Sequence, residues 1–147
     1  MATKTILVVD DDPLVIQFLE EVFAYAGYTT IAAQDGTHAL DVLAVAHPDI
    51  ILTDLMMPVL DGVGLCRAVW ANPATQAIPL VLMSALSAGR VSIDFPIAGF
   101  LQKPFSIDVA VALVESLIGS ATTEDRAGVP PAQVQEQPKE QLRERAR

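Results

Sequence analysis

Apolar residues along this chain fall into two alternating spacings. Short runs rich in β-branched and apolar residues occur at "TILVV" (5–9), "TTIAA" (29–33), "DIILT" (49–53), "PLVLM" (79–83) and "GFLQ" (99–102). Runs of this length, bounded by turn residues, predict strands, and the continuously apolar ones predict strands buried on both faces. Between them the apolar positions recur every three or four residues. Pro13 suits the first turn of a helix whose stripe is Val15, Phe18, Leu19, Val22 and Phe23, with Glu20 and Glu21 on the other side and Gly27 as its end. "GTHALDVLAVA" (36–46) predicts a second helix with Ala39, Leu40 and Leu43 inward, and "DGVGLCRAVWAN" (61–72) a third with Leu65, Cys66 and Val69 buried. "SIDVAVALVESLIGS" (106–120) predicts a last helix capped by Ser106. Strands alternating with helices imply right-handed βαβ units, hence an α/β fold with a five-stranded parallel sheet and helices on both faces.

One segment breaks the rhythm. Where a further helix is due, between Ser84 and Lys103, the chain reads "ALSAGRVSIDFPIA". Gly89 weakens a helix and Pro96 ends one. Val91, Ile93, Phe95 and Ile97 alternate with period two, the pattern of extended chain. The fourth helix is therefore expected to be short, distorted or replaced by a loop. A second change comes near residue 120. Beyond it the chain is polar, rich in Gln and Pro, and nearly free of large apolar groups. Residues 1–120 are thus expected to form one domain and 121–147 a tail or linker with no domain of its own.

Composition narrows the function classes. With 52% apolar residues over 147 positions, the chain can bury one good core. The net charge of −9 is carried by residues 1–120, which hold 13 acids against four bases: Lys4, Arg67, Arg90 and Lys103. So few cations make nucleic-acid binding a poor fit, because phosphate contacts need them. No apolar run is long enough for a membrane span, and no basic amphipathic helix suits a membrane surface. The start "MATKTILVVDDD" turns acidic where a signal peptide needs its apolar stretch. A single cysteine, Cys66, cannot form an internal disulfide, so a cytoplasmic setting is expected.

The polar residues at the strand ends carry the candidate chemistry. Ligands of a parallel α/β sheet bind at the carboxyl ends of its strands. There the first strand ends in Asp10, Asp11 and Asp12, the third in Asp54 and the fourth in Ser84, while Lys103 follows the fifth. Carboxylates brought close together repel, so they hold a proton or a cation. An oxygen-only set with open positions suits Mg²⁺, which keeps waters and favours phosphate oxygens. Ser84 and Lys103 can hold phosphate oxygens, which leaves Asp54 as a nucleophile for a phosphoryl group.

At this point the sequence resembles the receiver domains of two-component response regulators. The matching pieces are "ILVVDDDP" (6–13), "PDIILTDLMMPVLDG" (48–62), "PLVLMSA" (79–85) and "GFLQKPF" (99–105), four motifs in order across about residues 4–119. The resemblance implies a flavodoxin-like, CheY-like sheet of strand order 2-1-3-4-5. It implies that Asp54 is the phosphoacceptor, that Asp10 and Asp11 form the acidic pair, and that Met56 offers a metal its backbone carbonyl. Ser84 becomes the switch hydroxyl and Phe100 the switch aromatic, and Lys103 binds the phosphoryl group with a cis bond to Pro104. The implied partner is a histidine kinase or phosphotransfer protein. The stretch from Ser84 to Lys103 is about one helical turn shorter than is usual in the family. From Leu86 to Ile118 the charged residues are Arg90, Asp94, Lys103, Asp108 and Glu115. That is too few for a charge-paired symmetric dimer through the fourth-helix face, so a monomer is expected.

Other notable residues have plainer readings. Asp12 precedes Pro13 and is expected to cap the first helix, and Asp61 before Gly62 is a turn or cap residue. Cys66 reads as a small core residue, His38 and His47 as surface or edge residues, and Trp70 as packed or half-exposed on its helix. Two other functions compete with a phosphoacceptor switch that catalyses only its own modification. One is a Mg²⁺-dependent phosphohydrolase, which usually needs a second Asp two residues after the nucleophile; that position is Met56. The other is a binding module that works without phosphorylation, for which the altered fourth-helix region speaks and against which the presence of all five key side chains speaks.

Overall fold

The computed structural model describes residues 3–90 and 93–120. The expected tail, 121–147, and Val91 of the alternating segment lie outside the described residues. Five strands, β1 (Thr5–Val9), β2 (Thr29–Ala33), β3 (Ile50–Asp54), β4 (Leu80–Ser84) and β5 (Gly99–Gln102), form one parallel sheet in the order β2-β1-β3-β4-β5. Among the described residues, four α-helices connect and flank them: α1 (Pro13–Tyr25), α2 (Gly36–Leu43), α3 (Gly62–Ala71) and α4 (Ile107–Ile118). Each helix start carries its cap. Asp12 accepts from the Leu14 N–H, Asp35 from His38, Asp61 from Gly64 and Ser106 from Val109. Among the described residues, no helix is long and apolar enough to cross a membrane.

Alternate residues of the buried strands feed two cores. Ile6, Val8, Ile50, Leu52, Val81, Met83 and Leu101 face α1 and α4. Leu7, Val9, Ile51, Leu80, Leu82 and Phe100 face α2 and α3. This period of two is the pleat of the strands, and it is why their sequences are apolar throughout. One expectation for α1 is corrected. Its buried stripe is Ile16, Leu19, Val22 and Phe23, whereas Phe18 is 42% exposed and Val15 only half-buried. Positions 15, 16, 18, 19, 22 and 23 are all apolar, so the spacing leaves the rotation of the helix open; packing against the sheet settles it.

The fourth helix is replaced. After β4 the chain makes a 3-10 turn, Ala88–Arg90, and the described residues from 93 to β5 have no regular structure. Phe95 is buried, Ile93 and Ile97 pack half-buried on the α2–α3 core, and Asp94, Pro96 and Ala98 face outward. This is the alternation expected of extended chain. The Arg67 guanidinium of α3 reaches the Asp94 carboxylate at 3.0 Å and links the segment to its neighbour. At the opposite end of the sheet, the Tyr28 hydroxyl donates to the Gly119 carbonyl at 2.7 Å and fixes the end of α4.

Candidate functional site

The carboxyl ends of β1, β3, β4 and β5 bring the candidate residues together. Asp10 and Asp54 are buried, and Asp11 is exposed beside them. One carboxylate oxygen from each of Asp10, Asp11 and Asp54 lies within 4.8 Å of the others. Lys103 Nζ is 3.0 Å from Asp10 Oδ2 and 3.0 Å from Asp54 Oδ1. The lysine is delivered there by β5, whose end is bound to β4 through the Lys103 N–H and the Ser84 carbonyl at 2.7 Å. The Lys103–Pro104 peptide bond is cis, as expected.

The electrostatics follow from burial and proximity. Burial pushes the Asp54 carboxyl above the ordinary aspartate value; Lys103 works against this, while the charges of Asp10 and Asp11 add to it. Burial alone works to lower the Lys103 ammonium, but its hydrogen bonds to Asp10 and Asp54 outweigh that and hold it above the ordinary lysine value. Three carboxylates against one ammonium leave a local excess of negative charge. A divalent cation would balance it, so the donor set fits a hard, oxygen-loving ion.

Two backbone groups not foreseen from the sequence complete the geometry. The Asp12 N–H donates to Asp10 Oδ1 at 2.9 Å, and the Leu86 N–H donates to the Ser84 hydroxyl oxygen at 3.0 Å. Both span two residues, the reach of an Asx- or Ser-type turn, and a carboxylate or hydroxyl at a strand end is the signal for one. With its oxygen accepting from Leu86, Ser84 keeps its own proton to donate. Asp12 itself caps α1. Phe100 is 4% exposed and lies in the α2–α3 core, not at the mouth of the site. Cys66 is buried, and burial with the nearby Asp61 charge pushes its thiol up to about 12, so it is an inert core residue. His38 and His47 are exposed, and neither belongs to a possible metal-holding group among the described residues. Met56 and Leu86, next to the site, are 69% and 40% exposed.

The fold is a doubly wound α/β domain, and its site is an acidic cluster with one shared lysine at the sheet edge. The family model of the response regulator receiver domain matches residues 6–115. The chain is 35% identical over 126 residues to the response regulator MprA of Mycolicibacterium vanbaalenii, covering 84% of this chain and 54% of that protein. It therefore spans about half the length of the curated relatives it matches. The receiver domain of sensor histidine kinase PA1611 from Pseudomonas aeruginosa PAO1, solved with magnesium in its active-site cleft, superposes with a TM-score of 0.74 at 28% identity, covering 81% of this chain and all of that one. Chemotaxis protein CheY4 of Vibrio cholerae superposes with a TM-score of 0.69 at 25% identity, covering 79% of this chain and 99% of that one. The chain belongs to the receiver-domain family of two-component response regulators. Such domains are regulatory modules rather than metabolic enzymes.

Proposed function

We propose that Asp54 is the phosphoacceptor of this receiver domain and that its modification switches contact with a partner protein. The observation that carries this reading is the position of Lys103 Nζ, 3.0 Å from both Asp10 and Asp54, with Asp11 in the same cluster. An Asp54 oxygen attacks the phosphorus of a phosphohistidine on a histidine kinase or phosphotransfer protein. The phosphorus–nitrogen bond breaks, and its electron pair leaves with the imidazole. Lys103 then passes from the Asp54 carboxylate to a phosphoryl oxygen, and the Ser84 hydroxyl donates to another. Asp10, Asp11, Asp54 and the backbone carbonyl of Met56 are the groups that would hold Mg²⁺. When bound, that ion supplies the positive charge that lets phosphoryl oxygens approach these carboxylates.

The protein catalyses no reaction beyond its own phosphorylation and slow dephosphorylation on this reading. The second position after Asp54 is Met56, whose side chain cannot serve as the general acid that a phosphohydrolase needs. Ser84 and Phe100 report the state of the site. The domain acts as a monomer in the cytoplasm. The test is incubation of the full chain with acetyl phosphate and Mg²⁺, followed by intact mass. One phosphoryl increment that requires the metal supports the proposal; absence of any adduct overturns it.

A further inference from the structure

The loop from β3 to α3 begins immediately after Asp54 and carries Met56. Its ends close on each other, since the Gly62 N–H donates to the Leu55 carbonyl at 2.9 Å. At its crown the Leu60 N–H donates to the Pro58 carbonyl at 2.9 Å, across Val59 at φ 69°. This is a γ-turn with a positive φ at its centre, the strained form. Val59 is poorly suited to it. A β-branched residue in the left-handed region is costly, and at 86% exposure its side chain gains little by packing. Such strain persists only where the surroundings hold it.

The holding group comes from α2. The Leu60 carbonyl, just past the strained residue, accepts from the Gly36 N–H at 3.2 Å. Gly36 opens α2, and its N–H is among the donors that a helix leaves without an internal partner. The two backbones lie too close for a side chain. A Cβ on Gly36 would meet the Leu60 carbonyl oxygen at 2.5 Å and the Leu60 Cβ and Cγ at 2.9 Å. Among the described residues, this is the hydrogen bond that ties the loop crown to another element.

We propose that Gly36 is a positioning residue for the phosphoacceptor site. By holding the Leu60 carbonyl, the start of α2 fixes the β3–α3 loop, and with it the Met56 carbonyl, beside Asp54. This rests on the reading of Met56 as a cation ligand and names the element that aims it. A ligand supplied by a loop backbone depends on what anchors the loop, as side-chain ligands depend on their outer partners.

The test is Mn²⁺ binding to the full chain, read from the paramagnetic signal of the free ion, in the wild type, Gly36→Ala and Gly64→Ala. Gly64 is the control, because the nearest contact of a Cβ there is Leu60 Cδ1 at 2.6 Å, the flexible end of a side chain and not the loop backbone. Gly36→Ala is expected to weaken Mn²⁺ binding about tenfold, with Gly64→Ala within about twofold of the wild type. Unchanged affinity in Gly36→Ala overturns the proposal. So does equal weakening in both variants, which would show general loosening of the fold. A wild type that binds no Mn²⁺ would remove the cation reading itself, and this inference with it. If Gly36→Ala does not fold, the comparison moves to Leu60→Ala with and without Gly36→Ala. That background removes the Cγ contact and keeps the carbonyl contact. The same tenfold loss is expected there, and equal affinities overturn the proposal.

Discussion

The two faces of the sheet are built from the same strands but covered in different ways. On one face α1 and α4 lay continuous helical stripes over Ile6, Val8, Leu52 and Met83. On the other, α2 and α3 cover only part, and the remainder lies under an extended segment that contributes Phe95, Ile93 and Ile97. The acidic site is indifferent to this asymmetry, because its residues come from the strand ends that both faces share. The α2–α3 core is not. Phe100 packs in the same core as Phe95, under the irregular cover. The difference teaches that the chemistry of a receiver domain and the shape of its surface are separable: a helix can be exchanged for extended chain while Asp10, Asp54 and Lys103 stay in register.

The strongest break in that comparison would be a site variant that disturbs either core. Asp54→Asn is expected to abolish the phosphoryl adduct in intact mass while leaving the circular dichroism spectrum unchanged. It should also raise the melting temperature at neutral pH. The folded Asp54 carboxyl holds its proton more tightly than the unfolded one, so its ionisation subtracts stability above the ordinary aspartate value and not below it. The advantage of the variant should therefore fade as pH falls through the raised Asp54 value toward the ordinary one. An advantage that grows toward acid would contradict the sign.

Core truncations sharpen the contrast between the faces. Leu113→Ala, on the buried side of α4, is expected to cost about 3 kcal/mol in urea unfolding. Phe95→Ala removes a larger side chain, but its surroundings are a segment free to settle inward, so a cost of about half that is expected. Equal costs would mean that the extended segment is held as firmly as a helix.

The remaining effects are smaller. Hydrolysis of the aspartyl phosphate needs a water placed in line, and Met56 and Leu86 beside the site have no side-chain group to hold one by a strong hydrogen bond. Met56→Asn should shorten the phosphorylated lifetime about tenfold, or about 1.4 kcal/mol in the barrier. Val59→Gly should stabilise the fold by about 1 kcal/mol through relief of the left-handed strain. Arg67→Ala removes an exposed ion pair with Asp94 and should leave the melting temperature within scatter, since pairs in open solvent contribute little. A clear loss there would show that this link, rather than the apolar alternation, keeps the extended segment in place.

Much of this molecule is legible in the chain itself. Buried strands declare themselves by continuous apolar runs, helix starts by Asp12, Asp61 and Ser106, and the missing helix by Gly89, Pro96 and the alternation of Ile93, Phe95 and Ile97. These are local properties, set by the backbone and by neighbours a few residues away. The convergence of Asp10, Asp54 and Lys103 was also legible, because a parallel sheet places all its strand ends on one edge. What only the tertiary structure decided depends on surfaces meeting. The rotation of α1 that buries Ile16 and exposes Phe18 is set by the sheet beneath it, since the apolar positions allow more than one stripe. The approach of Gly36 to Leu60, and the strained Val59 that it holds, join residues more than twenty positions apart through backbone atoms, which carry no side-chain signature for a sequence to show.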